Sequence, residues 1–307
     1  MADTSPARGR WAVRHVPPTP RSIVELIRNG TLDAELAATL WVLVEQRVPV
    51  IVAGAGSGAG KTTVLEALRP FLPVGIQVVE LRGADETFDW LPQATELGWE
   101  RRDPVPASGA AIHPGRADRP DPPVRPDTTI LAIPELSDHL PSYTWGDHAR
   151  IAIRAAAIGY GLLATIHGDT LEEVFEALGR PPVALTDDEL SRLGIVLVLR
   201  RLDDGRRRVV AAHYVRPTAR DEHGHVQRLG PAVLTTWDPT RDRFEHFGWG
   251  ITPELASRIG WRAGDLEIEI DRRRDLLAAL VAGGLADVPA AEAAIRTYRP
   301  IISPSPI

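Results

Sequence analysis

The run Val48-Pro49-Val50-Ile51-Val52, then Ala55-Gly56-Ser57-Gly58-Ala59-Gly60-Lys61-Thr62-Thr63, then Val64-Leu65-Glu66-Ala67-Leu68 decides the fold of this 307-residue chain. The first part is a short β-branched apolar run, the pattern of a buried parallel strand. The last part, from Thr63, reads as a helix ended by Pro70. Between them lies a Walker A motif in which Ala55 takes the first glycine position and Gly60, Lys61 and Thr62 keep the required spacing. In such a loop, backbone N–H groups and the positive end of the helix hold phosphates, the lysine neutralises them and the hydroxyl ligates Mg²⁺. Gly56, Ser57, Gly58, Ala59, Gly60, Lys61, Thr62 and Thr63 are therefore candidate ATP-binding residues, with Thr62 a candidate Mg²⁺ ligand.

Of the 35 lysine and arginine residues, Lys61 is the only lysine. A compact ammonium fits between phosphates where a broad planar guanidinium does not fit easily, so its placement reinforces the motif.

A chain of this length buries a full α/β core with room for a smaller appended unit. The net charge of -6 and pI near 5.9 argue against a general nucleic-acid or anionic-membrane binder. Cysteine is absent, which excludes disulfides and thiolate metal sites. Residues 1–20 are polar and proline-rich without an apolar signal core, and no later run is long enough to cross a bilayer. The expectation is a cytoplasmic protein with a flexible N-terminal arm over 1–20.

Leu32, Leu36, Leu40 and Leu43 share one face of an expected helix over 31–46, with Thr31 and Asp33 at its positive end. Further strands are expected over 75–80, ending at Glu80, over 129–135, ending at Glu135, and over 162–166, ending at His167. Prolines interrupt 101–126 too often for a helix or central strand, which makes it a long surface loop. A helix is expected from about 146 to 158. Asp203-Asp204-Gly205 signals a hairpin between 194–201 and 207–215, and a second hairpin is expected from 232 to 247 around Asp238-Pro239. From 252 to 298 the pattern is mainly helical. In open parallel sheets ligands bind at the carboxyl ends of strands, where Glu80, Glu135, His167 and the glycine loop all fall. His223, His225 and the run Arg206-Arg207-Arg208 read as a surface loop and a charged hairpin end.

In order, these motifs resemble the ATPase domain of the type II/IV secretion-system ATPases, the motors of pilus assembly and secretion, over roughly 21–299. Ser22-Ile23-Val24-Glu25-Leu26-Ile27 with Gly30-Thr31-Leu32 resembles the segment before that family's Walker strand. Glu80 stands at its acidic box, with Leu81 where a second acid is usual. Arg125-Pro126-Asp127 and the strand to Glu135 resemble its Walker B region, with Pro134 in place of the usual glycine. Gly159 and Ala164-Thr165-Ile166-His167 resemble its histidine box, and Arg272-Arg273-Arg274-Asp275-Leu276-Leu277 with Gly284 and Tyr298 its C-terminal helices. The resemblance implies a RecA-like P-loop NTPase core with a mostly parallel sheet, followed by β-hairpins and a small C-terminal helical segment. It also implies a hexameric ring and an inner-membrane platform protein as partner, which would place the protein at the inner face of the membrane.

On this reading Glu135 orients the attacking water, Glu80 assists with the water or Mg²⁺, and His167 senses the terminal phosphate. No specific nucleic-acid partner is expected. The domain division is an ATPase core over 21–217 and an extension over 218–307, helical from about 252. The family's usual N-terminal domain has no counterpart, and the loop 101–126 stands where the family has a helix carrying arginines. Two alternatives follow. One is an accessory subunit that binds ATP with little hydrolysis. The other is a P-loop small-molecule kinase, which would need an acceptor pocket and a lid.

Overall fold

The computed structural model describes residues 20–300 apart from 57, 101–123, 221, 222, 224, 228 and 286. The arm before residue 20, Ser57 and most of the proline-rich loop lie outside the described residues.

The chain opens with α1 (Ile23–Arg28) and α2 (Ala34–Glu45), then β1 (Val50–Ala53) and α3 (Lys61–Leu68). Asp33, rather than Thr31, caps α2: its side chain accepts from the Leu36 N–H at 2.9 Å, because Gly30 at φ +67° and the turn after it keep Thr31 out of the helix. Helix α3 starts two residues before the expected Thr63, directly from Gly60 at φ +100°. Pro70 falls in the 3₁₀ turn that ends it.

Next come β2 (Gln77–Glu80), β3 (Thr129–Leu136), α4 (Asp147–Ala157), β4 (Gly161–Ile166), α5 (Leu171–Gly179), α6 (Asp187–Leu190), β5 (Ile195–Arg201) and β6 (Arg207–Tyr214). The rest comprises β7 (Ala219–Arg220), β8 (Val226–Gln227), β9 (Ala232–Asp238), β10 (Arg243–His246), α7 (Thr252–Arg258), α8 (Ala263–Ala282) and α9 (Val288–Thr297).

Eight strands form one sheet in the order β10-β9-β6-β5-β1-β4-β3-β2. The five from β5 to β2 pair in parallel; β6 then pairs antiparallel with β5, β9 with β6 and β10 with β9. The fold is thus mixed α/β around a parallel centre. Strand β1 lies at its middle with all four residues buried, which explains its unbroken apolar run.

Alternation along the strands divides the interior in two. Val50 and Val52 of β1 face a core shared with α1, α2, α3, α7, α8 and α9, while Ile51 and Ala53 face one shared with α4, α5 and α6. Leu32, Leu36, Leu40 and Leu43 all enter the first core, as their spacing predicts. Residues 218–307 supply β9 and β10 to the main sheet and α7, α8 and α9 to that first core.

Helix α8 is fixed by a buried charge cluster. Arg273, fully buried, pairs with Glu269 at 2.9 Å and Glu45 at 2.5 Å, and its guanidinium lies 4.9 Å from the Trp41 ring centre and 5.3 Å from that of Tyr298. The C-terminal helices are thereby joined to α2 by charge as well as by apolar contact.

Candidate functional site

The parallel strands deliver their carboxyl ends to one edge of the sheet, and there the glycine loop meets Glu135 and His167. The loop turns on left-handed backbone at Gly56, Gly58 and Gly60, with φ of +69°, +85° and +100°. Alternating left-handed residues build the N–H concavities that bind anions. Among the described residues no side chain caps the start of α3, which leaves its first N–H groups to a ligand. Gly54 has to be glycine for another reason: a Cβ there would lie 2.7 Å from the Leu199 carbonyl oxygen.

Lys61 is buried, with 6% of its surface exposed. Its Nζ lies 3.3 Å from the Gly54 carbonyl, 3.4 Å from Glu135 Oε2 and 3.4 Å from His167 Nδ1. Glu135 is equally withdrawn at 7% exposure. Its Oε2 accepts from Thr165 Oγ1 at 2.9 Å, and its Oε1 is buried with no hydrogen-bond partner among the described residues. That oxygen faces His167 Nε2 at 3.7 Å. An orphaned carboxylate oxygen beside a lysine is costly unless a water, metal or substrate group completes it.

A register shift in the β3–β4 pairing between Ile133 and Leu136 places Pro134 and Glu135 at an irregular strand end, where the single hydroxyl proton of Thr165 on β4 is shared between Glu135 Oε2 and the Pro134 carbonyl. The Thr144 N–H donates to the Glu135 carbonyl at 3.0 Å, which fixes the backbone that presents this side chain.

Burial holds the His167 imidazolium below its ordinary range; the Glu135 charge opposes this, and Lys61 and His139 add to it. His167 is therefore neutral at neutral pH. In that form Nδ1 accepts from the ammonium, and Nε2–H points toward Glu135 Oε1.

The cleft beside this cluster has a volume of about 690 Å³, bordered by Gly56, Gly58, Ala59, Gly60, Lys61, Thr62 and Thr63, and across from them by Glu80, Glu135 and His167. The described residues proposed from sequence thus border one cavity. Within it Lys61, Glu135 and His167 touch one another, while Glu80 stands apart. The Glu80 side chain is 62% exposed on the edge strand β2 and pairs with Arg69 at 2.7 Å.

Several contacts escape sequence reasoning. Thr165 lies inside the histidine-box run without being singled out. Arg69 and Tyr143 also line the cleft. Asp169 accepts from the Ala55 N–H at 3.1 Å and ties the β4–α5 turn to the glycine loop. Arg207, one of three adjacent hairpin arginines, donates to the Gly58 carbonyl at 3.2 and 3.0 Å. Elsewhere, the rings of His223 and His225 lie 6.1 Å apart. Among the described residues no group of three or more His, Cys, Asp or Glu could hold a metal ion, and no helix is long and apolar enough to cross a membrane.

No family model matches the chain. It is 24% identical over 293 residues to the uncharacterized protein MJ0900 of Methanocaldococcus jannaschii, covering 93% of this chain and 50% of that protein. It is also 24% identical over 265 residues to the uncharacterized protein MJ1287 of the same organism, covering 82% of this chain and 89% of the relative. The chain therefore spans half the length of the first relative. Similar solved structures include the VirB11 ATPase of the Brucella suis type IV secretion system, at 18% identity and a TM-score of 0.35, covering 76% of this chain and 61% of the other. The Legionella pneumophila ATPase DotB is similar at 13% identity and a TM-score of 0.33, covering 93% and 63%.

Proposed function

We propose that this chain binds ATP with Mg²⁺ and hydrolyses it as a motor subunit of a secretion or pilus-assembly system. The observation that carries the ATPase reading is the meeting of Lys61, Glu135 and His167 beside the start of α3, where among the described residues no side chain caps the helix or bonds Glu135 Oε1. The parallel order β5-β1-β4-β3-β2 supports the RecA-like reading of the core, and the family likeness of the motifs supports the cellular role.

Gly56, Ser57, Gly58, Ala59, Gly60, Lys61, Thr62 and Thr63 hold the triphosphate. Thr62, with Glu80 across the cleft, would hold Mg²⁺, which supplies charge neutralisation at the phosphates. Lys61 moves its ammonium from Glu135 to the phosphates, which frees the carboxylate to orient a water and take its proton. The water oxygen bonds to the terminal phosphorus as the bond to ADP breaks. Neutral His167 donates Nε2–H to the anionic product or to the water. The assembly belonging to this reading is a homo-oligomeric, six-membered ring of cytoplasmic subunits, engaged peripherally with an inner-membrane platform protein. The unit that binds nucleotide is 21–217, and 218–307 is its C-terminal extension.

The test is Glu135→Gln, measured by phosphate release and by nucleotide titration. Binding should persist while hydrolysis falls at least about 100-fold, the scale of a lost positioned catalytic group. Lys61→Ala should abolish binding. Retained binding and wild-type turnover in both variants would refute the reading, and binding with negligible wild-type turnover would favour the accessory subunit.

A further inference from the structure

Three consecutive arginines lead into and open β6, and the fold gives them different surroundings. Arg206 is held by Asp204 at 2.6 Å and Asp242 at 2.5 Å. Arg208 is buried and held by Asp242 at 3.1 and 3.2 Å and by the Asn29 carbonyl at 3.0 Å. Arg207 turns to the phosphate loop instead. Its stem passes over Gly60, where a Cβ would lie 2.7 Å from Arg207 Cδ, and its guanidinium rests on the neutral Gly58 carbonyl. Among the described residues no carboxylate pairs with it, so a half-buried cation and most of its N–H donors stay uncommitted beside an anion-binding loop.

Arg207 also stands on the wall between two cavities. One is the cleft with Lys61 and Glu135; the other, of about 610 Å³, is lined by Arg21, Asn29, Thr63, Val64 and Asp204. Glu135 and His167 come from β3 and β4, on one side of the central β1. Arg207 comes from β6, beyond β5 on the other side. Arg207 therefore faces the phosphate loop from the side opposite Glu135 and His167, next to the second cavity.

We infer that Arg207 is a second cation of the nucleotide site, supplied by the same chain, and that it bonds the phosphates on the nucleoside side rather than the terminal one. The inference rests on the nucleotide-binding reading above. An anionic phosphate oxygen is a far stronger acceptor for a guanidinium than a neutral carbonyl, so nucleotide takes Arg207 from Gly58 and returns that carbonyl to water. Because ATP and ADP share these phosphates, Arg207 acts on affinity for both and little on the chemical step.

The experiment is titration of the full chain with fluorescent ATP and ADP analogues in Mg²⁺, for wild type, Arg207→Ala, Arg207→Gln and Lys61→Ala, with thermal melts as a folding control. Both Arg207 variants should weaken ATP and ADP alike by about tenfold or more, the scale of a lost charge-assisted hydrogen bond, with turnover at saturating ATP within about threefold of wild type. Gln can still donate to the Gly58 carbonyl, so wild-type affinity in Arg207→Gln would show that loop support alone mattered and would overturn the inference. Weakened ATP with unchanged ADP would overturn it too, by moving the contact to the terminal phosphate. Unchanged affinities in both Arg207 variants, with binding lost in Lys61→Ala, would overturn it while leaving the ATP site standing. A wild-type protein that binds neither nucleotide would remove the ATP site itself.

Discussion

Lys61 and Glu135 are both more than nine-tenths buried and 3.4 Å apart, so removing the ammonium leaves a carboxylate whose one hydrogen-bond donor among the described residues is the Thr165 hydroxyl, shared with the Pro134 carbonyl. Breaking a buried pair from one side costs about 3–5 kcal/mol, most of it the penalty of the stranded charge. This pair borders a cleft of about 690 Å³ that admits water, which places the cost at the lower end. We expect Lys61→Ala to lose about 3 kcal/mol of nucleotide-free stability, a fall in Tm of roughly 5–10 °C for a chain of this size. The double variant Lys61→Ala/Glu135→Gln has no stranded charge and should recover at least about half of that loss. Urea denaturation at neutral pH without nucleotide, followed by tryptophan fluorescence, measures both. A single variant within about 0.5 kcal/mol of wild type, or a double variant no more stable than the single, would refute the view that these groups neutralise one another before ATP arrives.

Burial pulls the His246 imidazolium down, but its 2.7 Å bond to Asp33 and the charges of Asp33 and Glu35 outweigh that, and its pKa ends above the usual 6.5. Its stabilising contribution is fully present below the unfolded pKa near 6.5 and is lost as pH rises through the higher folded value, so the Tm gap between wild type and His246→Gln should narrow from pH 6 to pH 8. Arg273→Ala strands Glu269 in the interior and should cost about 3–5 kcal/mol, whereas Arg273→Met with Glu269→Leu should recover most of it in chemical denaturation. Light scattering with a non-hydrolysable ATP analogue should show a closed oligomer, and a persistent monomer at high concentration would count against an autonomous ring motor.

The centre of the fold is legible in sequence because its signals are local. The apolar run of β1, the glycines and lysine after it, and the Asp203-Asp204-Gly205 turn between β5 and β6 each carry their own instruction. Glu135 and His167 are legible as strand-end residues, since a parallel sheet sends such ends to one edge. What sequence does not carry is pairing between distant segments. Asp169 reaches Ala55, and Arg207 reaches Gly58 across 149 positions, only after β4 and β5 have packed on either side of β1. The three hairpin arginines look alike in sequence; Asp242, on a separate turn, claims two of them and leaves the third. Likewise, nothing local to 232–238 announces that β9 will pair with β6.

The burial of Lys61 gives the molecule an unusual chemical handle. Apart from the α-amino group, every primary amine of the chain is this single side chain, seated at the bottom of one cleft. An amine-reactive acylating reagent therefore has one internal target, and the mass of the intact protein counts its modification directly. Whatever fills the cleft shields that nitrogen, so protection from acylation reports occupancy without any engineered label.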